Sequence, residues 1–270
     1  MTLTQALPRI RPRRKGLGAA RSTVLGVGSI VVVLILWELA GRFWANPLFL
    51  PPLSAIWTRF LEFAAGGQLA TDIAASAQSY LGGLAFAILI GGSVGIAMAS
   101  SKTIRDVLNP WVSVLNATPT IALAPIFILI FGLGIESKVA VCTLVMIFPI
   151  LVNTYTGFAN TDENLVETIR AFGASHVQSY LKVKLPMALP YLFAALRLAA
   201  AHGLVGVVVS ELFGAKAGVG LLILNSAHTF DSRGLFAGIL MLAIAGVVIT
   251  YTLIALERRL FRWRRSENGE

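Results

Sequence analysis

Six long apolar runs constrain this chain more than any other feature of its sequence. They cover approximately residues 20–40, 78–100, 112–133, 138–159, 188–212 and 235–256. A helix of about 18 or more apolar residues can cross the hydrocarbon core of a membrane. Only 13% of the 270 residues are charged, against about 25% in soluble domains, so a soluble fold would lack a polar surface. The sequence therefore predicts an all-α polytopic membrane protein with six transmembrane helices.

The basic residues outside these runs are unevenly divided between the two sides of the membrane. If the N-terminus is placed inside the cell, the inner segments hold 16 of the 22 lysines and arginines, and the outer segments hold five. Inner loops of membrane proteins are enriched in basic residues. We therefore predict a multi-pass inner-membrane protein with both termini in the cytoplasm: a basic segment at 1–19, a transmembrane domain at 20–256 and a tail at 257–270. The net charge of +9 then reports topology, and nucleic-acid binding is not expected.

A long polar segment at residues 160–187 separates the fourth apolar run from the fifth. Loops of this length are uncommon unless they have a function. Leu165, Ile169 and Phe172 follow an i, i+4, i+7 spacing, which places them on one face of a helix. The sequence thus predicts a short amphipathic helix at the start of this loop.

Gly173 is expected to make a sharp turn after that helix, because glycine adopts backbone conformations that other residues avoid. A second amphipathic stretch covers residues 175–184, and Pro186 is predicted to end it before the chain re-enters the membrane. The spacing alone leaves two interpretations open. The loop either lies on anionic lipid as an interfacial helix or inserts an apolar ridge into a groove of a partner protein.

Short motifs in this loop resemble the EAA loop of ABC-importer permeases. They are Glu167-Thr168-Ile169, Gly173-Ala174 and Leu185-Pro186, in the order and spacing of that loop, with Thr168 and Ile169 in place of the family's two alanines. Other stretches resemble the same family: Leu50-Pro51-Pro52, Thr118-Pro119, Ala124-Pro125, Phe131-Gly132-Leu133-Gly134 and Gly218-Val219-Gly220-Leu221. Together they cover residues 50–255 and are similar to permeases that import aliphatic sulfonates, taurine, nitrate or bicarbonate, and thiamine precursors.

The resemblance implies a type I ABC importer permease fold and a set of partners. These are cytoplasmic ABC ATPase subunits, a second permease copy that is usually identical, and a periplasmic or lipid-anchored substrate-binding protein. The resemblance also implies that the 160–187 loop couples the ATPase to the membrane helices, through Leu165, Glu167, Ile169, Arg170, Phe172, Gly173, Ala174, Leu185 and Pro186. The transported solute is expected to be small and anionic.

The chain carries no nucleotide-binding signature of its own. No Gly-x-x-x-x-Gly-Lys-Ser/Thr motif occurs in the sequence, so ATP and Mg²⁺ are expected on the ATPase partner. The single cysteine, Cys142, excludes a disulfide framework, and the histidines lack a second ligand at metal spacing. We therefore expect no cofactor, catalytic residue or metal site in this chain, and no enzymatic activity.

Polar residues inside the apolar runs are candidates for the translocation path. Asn116, Thr118 and Thr120 lie beside a proline, where a broken helix frees backbone groups that can line a cavity. Hydrogen bonding between helices is the alternative role for these three residues. Arg197 either attracts an anion, pairs with a structural partner or reaches the membrane surface, whereas Glu211 is a candidate tether or gate element.

Two other functional classes fit parts of the sequence. A secondary transporter or channel would need no ATPase, but proton coupling usually requires carboxylates near the membrane centre, and Glu38 and Glu211 both lie near the outer ends of their runs. An intramembrane serine protease needs a Gly-x-Ser-Gly turn, whereas Ser93 precedes a valine. The permease interpretation is favoured over both.

Two further features concern the packing of helices. His202 is interpreted as a hydrogen-bond donor between helices. Gly91 and Gly95 form a Gly-x-x-x-Gly pair, which predicts close helix contact either within one subunit or between two.

Overall fold

The computed structural model describes the backbone of residues 16–260 and the side chains of residues 24–260. The chain divides into two compact units, Met1–Trp57 and Thr58–Glu270. The basic clusters predicted at the two cytoplasmic ends, within 1–15 and 261–270, lie outside the described residues.

The described residues are mostly helical. In chain order the helices are α1 (Gly16–Leu39), α2 (Leu53–Ala65), α3 (Gln68–Ser100), α4 (Lys102–Ala117), α5 (Ala124–Phe131), α6 (Ile135–Ala159), α7 (Glu163–Ala171), α8 (His176–Ser179), α9 (Leu185–Leu212), α10 (Val219–His228) and α11 (Ser232–Leu260). A π-helical turn at Ala40–Trp44 extends α1, another at Tyr180–Lys184 joins α8 to α9, and a 3₁₀ turn at Thr120–Leu123 precedes α5.

Five helical segments of the described chain are long and apolar enough to cross a membrane. They are Val24–Trp44, Gln68–Ser100, Ile135–Ala159, His176–Leu212 and Ser232–Leu260. Each contains one of the predicted apolar runs almost completely, so five of the six predicted spans are confirmed as continuous helices of sufficient length.

The run predicted at 112–133 is not a straight span. Helix α4 and the Thr120–Phe131 segment meet at an angle of 88°, so this part is either a broken span or a re-entrant loop. Pro119 is the physical cause, because a proline disfavours the helical conformation in the residue before it. Thr118 is accordingly extended, with φ −75° and ψ 133°. Hydropathy alone does not detect such a bend.

In the first unit, the segment after α1 folds back onto the end of that helix. The indole Nε1 of Trp37 donates a hydrogen bond to the carbonyl oxygen of Pro51 at 3.1 Å. The Glu38 carboxylate accepts from the backbone N–H of Ser54 at 3.0 Å and pairs with Arg42. This local network satisfies a carboxylate near the end of an otherwise apolar helix.

The core of the second unit is a close packing of α3, α6 and α9. A Cβ added at Gly91 would lie 2.8 Å from the carbonyl oxygen of Ile147, and one at Gly95 would lie 2.7 Å from that of Leu151. The Gly91–Gly95 pair of α3 therefore packs against α6 of the same chain, since only glycine permits such an approach.

The predicted end of the second amphipathic stretch at Pro186 is wrong. The chain continues as one helical segment from His176 to Leu212. The N–H of Leu185 bonds to the carbonyl oxygen of Tyr180, five residues back, which gives a wider turn just before the proline. A π turn is one of the standard ways in which a helix absorbs an irregularity without ending. The second half of the loop is thus the first part of the same long rod as α9.

Candidate functional site

Residues 161–184 form an elbow whose two short helices are each capped by their own sequence. The Asp162 carboxylate accepts from the N–H of Asn164 at 2.9 Å and starts α7. Ser175 and Gln178 form a reciprocal capping box at the start of α8: the Ser175 hydroxyl accepts from the Gln178 N–H, and the Gln178 side chain accepts from the Ser175 N–H. Such caps stabilise helices too short to persist alone.

The bend of the elbow depends on Gly173. Its φ is +87°, in the left-handed region that disfavours residues with a Cβ, and no atom lies within 4 Å of where that Cβ would stand. The predicted glycine turn is confirmed. The space beside Gly173 is open to any molecule that approaches the elbow.

The apolar ridge of the elbow consists of its four exposed large apolar side chains, Leu165, Phe172, Val177 and Leu181. Phe172 is 87% exposed and Val177 is 65% exposed. Ile169 is half-buried, and Val166, three positions before it on α7, is fully buried. Exposed apolar side chains concentrated in so short a segment are typical of a surface that contacts another protein or a membrane.

Side-chain contacts and a continuous backbone connect the elbow to α6 and α9. Phe158 near the end of α6 stacks on Tyr180 in the π turn, with ring centroids 5.2 Å apart. The Nζ of Lys184 lies 3.4 Å from a carboxylate oxygen of Glu163, which ties α7 to the root of α9. Because α8 continues into α9 without a break, the second half of the elbow is the first part of a helical segment of 37 residues, about 55 Å long at 1.5 Å per residue.

The three polar residues predicted for the path lie at the bend between α4 and α5. Asn116 is exposed, and Thr118 and Thr120 are half-buried. The Thr118 hydroxyl donates to the carbonyl oxygen of Val114 at 2.9 Å, within its own helix. The structure thus brings the three residues together on one bend, and their role in the path stays a prediction.

Arg197 forms an ion pair with Glu257 of α11. Both side chains are partly exposed, at 36% and 26%. Three roles were considered for Arg197, and the structure supports the one in which it pairs with a structural partner. A guanidinium neutralised by a carboxylate is a weaker attractor for an anion than a free one.

Glu211 is fully buried, and both its carboxylate oxygens accept hydrogen bonds. The Ser76 hydroxyl of α3 donates to Oε1 at 2.7 Å, and the N–H of Gly220 donates to Oε2 at 2.7 Å. Two more bonds complete the cluster: the N–H of Gly218 donates to Asp72 Oδ1, and that of Val219 donates to Ser76 Oγ, both at 2.9 Å. Glu211 therefore links α9 to α3 and to the start of α10.

The N-terminus of α10 is therefore capped by side chains of other helices. Gly218, at the N-cap position of α10, has no side chain to offer, so the first N–H groups of α10 bond to side chains of α3 and α9 instead. A Cβ at Gly218 would overlap the Glu211 carboxylate, which explains this glycine. Sequence reasoning missed Asp72 and Ser76. The available signal was a pair of polar residues four positions apart on an apolar helix.

Residues 83–265 match the family model for the binding-protein-dependent transport system inner membrane component. This match covers more than half of the chain, and the chain therefore belongs to that family, the permease components of ABC importers. The resemblance inferred from the elbow motifs is confirmed.

Several relatives align with nearly the whole chain. It is 31% identical to the formylaminopyrimidine transport permease protein ThiX of Halalkalibacterium halodurans, over 88% of this chain and 94% of ThiX. It is 30% identical to the taurine transport system permease protein TauC of Escherichia coli K12, over 90% and 91%. It is 31% identical to the riboflavin transport system permease protein RibX of Chloroflexus aurantiacus, over 98% and 100%. These three names cover chemically different solutes.

Among solved structures, the fold is similar to a chain of the MetNI methionine ABC transporter in its inward-facing conformations. The TM-score is 0.61 at 20% identity, over 71% of this chain and 95% of that chain. At this identity the likeness concerns the fold, and it confirms the type I importer permease fold.

Proposed function

We propose that this permease forms the solute path of its importer together with a second copy of itself. Cytoplasmic ABC ATPases dock on the elbow, and a periplasmic or lipid-anchored binding protein delivers the solute from the other side. The observation that supports this proposal is the exposed apolar ridge of the elbow. Its Phe172 side chain is 87% exposed, and the elbow that carries it has capped helices and is continuous with α9.

The physical basis of docking is burial of the ridge. Burying a side chain such as that of Phe172 in a partner's groove contributes about 1.5–3 kcal/mol, and the open space beside Gly173 lets the partner approach the backbone. Arg170, Lys182 and Lys184 lie at the rim, where charges affect registration more than affinity. Closure of the paired ATPases then moves the two elbows and, through them, the α9 rods.

The solute we propose is small and anionic, of the sulfonate, taurine, nitrate or bicarbonate, or thiamine-precursor class. Support for an anionic solute comes from the relative named for taurine transport, because taurine carries a sulfonate. The relative named for formylaminopyrimidine transport supports the thiamine-precursor class, although that pyrimidine has no anionic group, and the riboflavin permease shows how widely solutes vary in this family. Uptake of radiolabelled taurine and formylaminopyrimidine by cells that carry the complete transporter tests this class. Uptake of neither compound, with riboflavin accumulated instead, would contradict it.

We also propose that both termini are cytoplasmic, from the 16-to-5 division of basic residues. ATP and Mg²⁺ are then held by the ATPase subunits, and this chain contributes no catalytic residue to their hydrolysis.

The docking proposal is tested by exchanging one exposed phenylalanine for aspartate. Phe172→Asp should abolish copurification of the ATPase, because a carboxylate would have to be buried without a partner. Phe230→Asp is the matched control, since Phe230 is also exposed, at 76%, but lies between α10 and α11. Equal ATPase recovery with both variants would contradict docking at the elbow. A wild-type chain that transports without any copurified ATPase would favour a secondary transporter.

A further inference from the structure

The imidazole of His202 lies midway along α9 on a face that other described helices leave uncovered. It is exposed, as are Leu198 and Val205 on the same face, each at 49%. The next residue, Gly203, shows how deep His202 lies in the helix bundle. A Cβ added at Gly203 would lie 3.0 Å from the Sδ atom of Met146, and Met146 is at the middle of α6.

The other faces of α9 are occupied. Gly206 packs against the backbone of Cys142 in α6, where an added Cβ would lie 3.3 Å from its Cα. The Tyr80 hydroxyl of α3 donates to the carbonyl oxygen of Ala200 at 3.2 Å. On the α11 side, Arg197 pairs with Glu257. The open face around His202 is therefore the face that remains after packing among the described helices of the second unit.

His202 also differs from the other acidic and basic residues of α9 in its bonding. Arg197 has its ion pair and Glu211 its two hydrogen bonds. Among residues 24–260, no hydrogen bond or ion pair joins the His202 imidazole to another side chain or backbone group. An imidazole carries at least one N–H donor, and a polar group in hydrocarbon without a partner is costly.

An exposed face of α11 has a different composition. Ile244, Val247 and Val248 lie there and are all aliphatic, which is what a face against lipid requires. Polar groups within membrane helices usually face a bundle interior or a water-filled cavity. Since the interior of this chain does not contain His202, a water-filled cavity outside it satisfies the imidazole best.

We propose that His202 lines the aqueous translocation path and offers its imidazole N–H to an anionic or hydrogen-bond-accepting group of the passing solute. The inference rests on the proposed transport function and adds a residue that would favour such solutes. It replaces the interpretation of His202 as a hydrogen-bond donor between helices.

The native cysteine makes this proposal testable by thiol labelling of the complete transporter in proteoliposomes. Cys142 is fully buried, so the wild-type permease should not react. His202→Cys and Ala201→Cys, the second being a small change at an exposed neighbour, should react with a charged, water-soluble methanethiosulfonate. The rate should exceed that of Val247→Cys by roughly tenfold or more, because the attacking thiolate forms only where water reaches it. Reactivity at 202 should also differ between nucleotide-free and ATP-vanadate-trapped complexes, since a path opens to one side at a time.

Two results would overturn the proposal. Labelling of His202→Cys and Ala201→Cys only by a lipid-soluble maleimide, as expected for Val247→Cys, would place this face against lipid. Labelling by neither reagent would place it against the second copy. Copurification of the ATPase in the same preparations keeps this test separate from that of the proposed function: ATPase bound with no water access at 202 refutes only the inference about His202.

Discussion

Replacement of Glu211 should destabilise the permease by an amount that follows from its hydrogen bonds. In Glu211→Ala, the Ser76 hydroxyl and the Gly220 N–H both lose their acceptor in a buried site. Each unsatisfied buried donor costs about 1–3 kcal/mol, so the free energy of unfolding should fall by about 2–6 kcal/mol. Glu211→Gln retains one acceptor oxygen and should cost about half as much.

The assay is the thermal-denaturation midpoint of the purified permease in detergent. A loss of about 1 kcal/mol lowers the midpoint of a chain of this size by about 2–4 °C, so Glu211→Ala should lower it by on the order of 10 °C. Glu136→Ala is the control, because Glu136 is an exposed carboxylate in the first turn of α6, and surface changes of this kind stay within about 0.5 kcal/mol. A midpoint for Glu211→Ala equal to that of Glu136→Ala would mean that the hydrogen bonds of Glu211 do not stabilise the fold.

Three further predictions concern the elbow and the helix contacts. Gly173→Trp should uncouple ATP hydrolysis from uptake, while the amount of permease in the membrane fraction stays normal. Gly173→Asn should impair uptake less, because asparagine tolerates a positive φ. Normal uptake by the tryptophan variant would argue against coupling through the elbow. Gly95→Ala should lower the free energy of unfolding by about 1–3 kcal/mol and so reduce the yield of folded permease. Gly92→Ala should leave the yield unchanged, because nothing lies within 4 Å of its added Cβ. Equal yields of the two variants would contradict the α3–α6 packing. Reversal of both charges at Lys182 and Lys184 should lower ATPase copurification modestly and in a salt-dependent way, and unchanged recovery would favour a loop that faces lipid.

The positions of most helices and the design of the elbow were predictable from the sequence. Apolar runs report membrane helices because the bilayer requires both length and hydropathy. The i, i+4, i+7 spacing of Leu165, Ile169 and Phe172 and the glycine that follows are local signals, and the structure confirms a short helix and a left-handed turn there.

The errors arose where local signals compete. Pro186 normally ends a helix, but a π turn directly before it lets the helix continue into α9. The run at 112–133 is apolar over most of its length and still bends by 88°, because hydropathy contains no information on backbone direction.

The Glu211 cluster could not be derived from the sequence for a different reason. Ser76 and Glu211 are 135 positions apart, and Asp72 and Gly218 are 146 apart. Their contact exists only once α3 and α9 are packed together. The sequence indicates a costly carboxylate in a membrane helix, but only the fold identifies what satisfies it.

A photo-crosslink from Phe172, the most exposed large apolar side chain of the elbow, tests whether the elbow touches the ATPase. A benzophenone-bearing phenylalanine in place of Phe172 keeps an aromatic group at that position, and irradiation of the intact transporter in its membrane captures whatever lies beside it. We predict a covalent adduct between the permease and the ATPase subunit. Adducts with lipid alone, in a transporter that still contains its ATPase, would contradict the account.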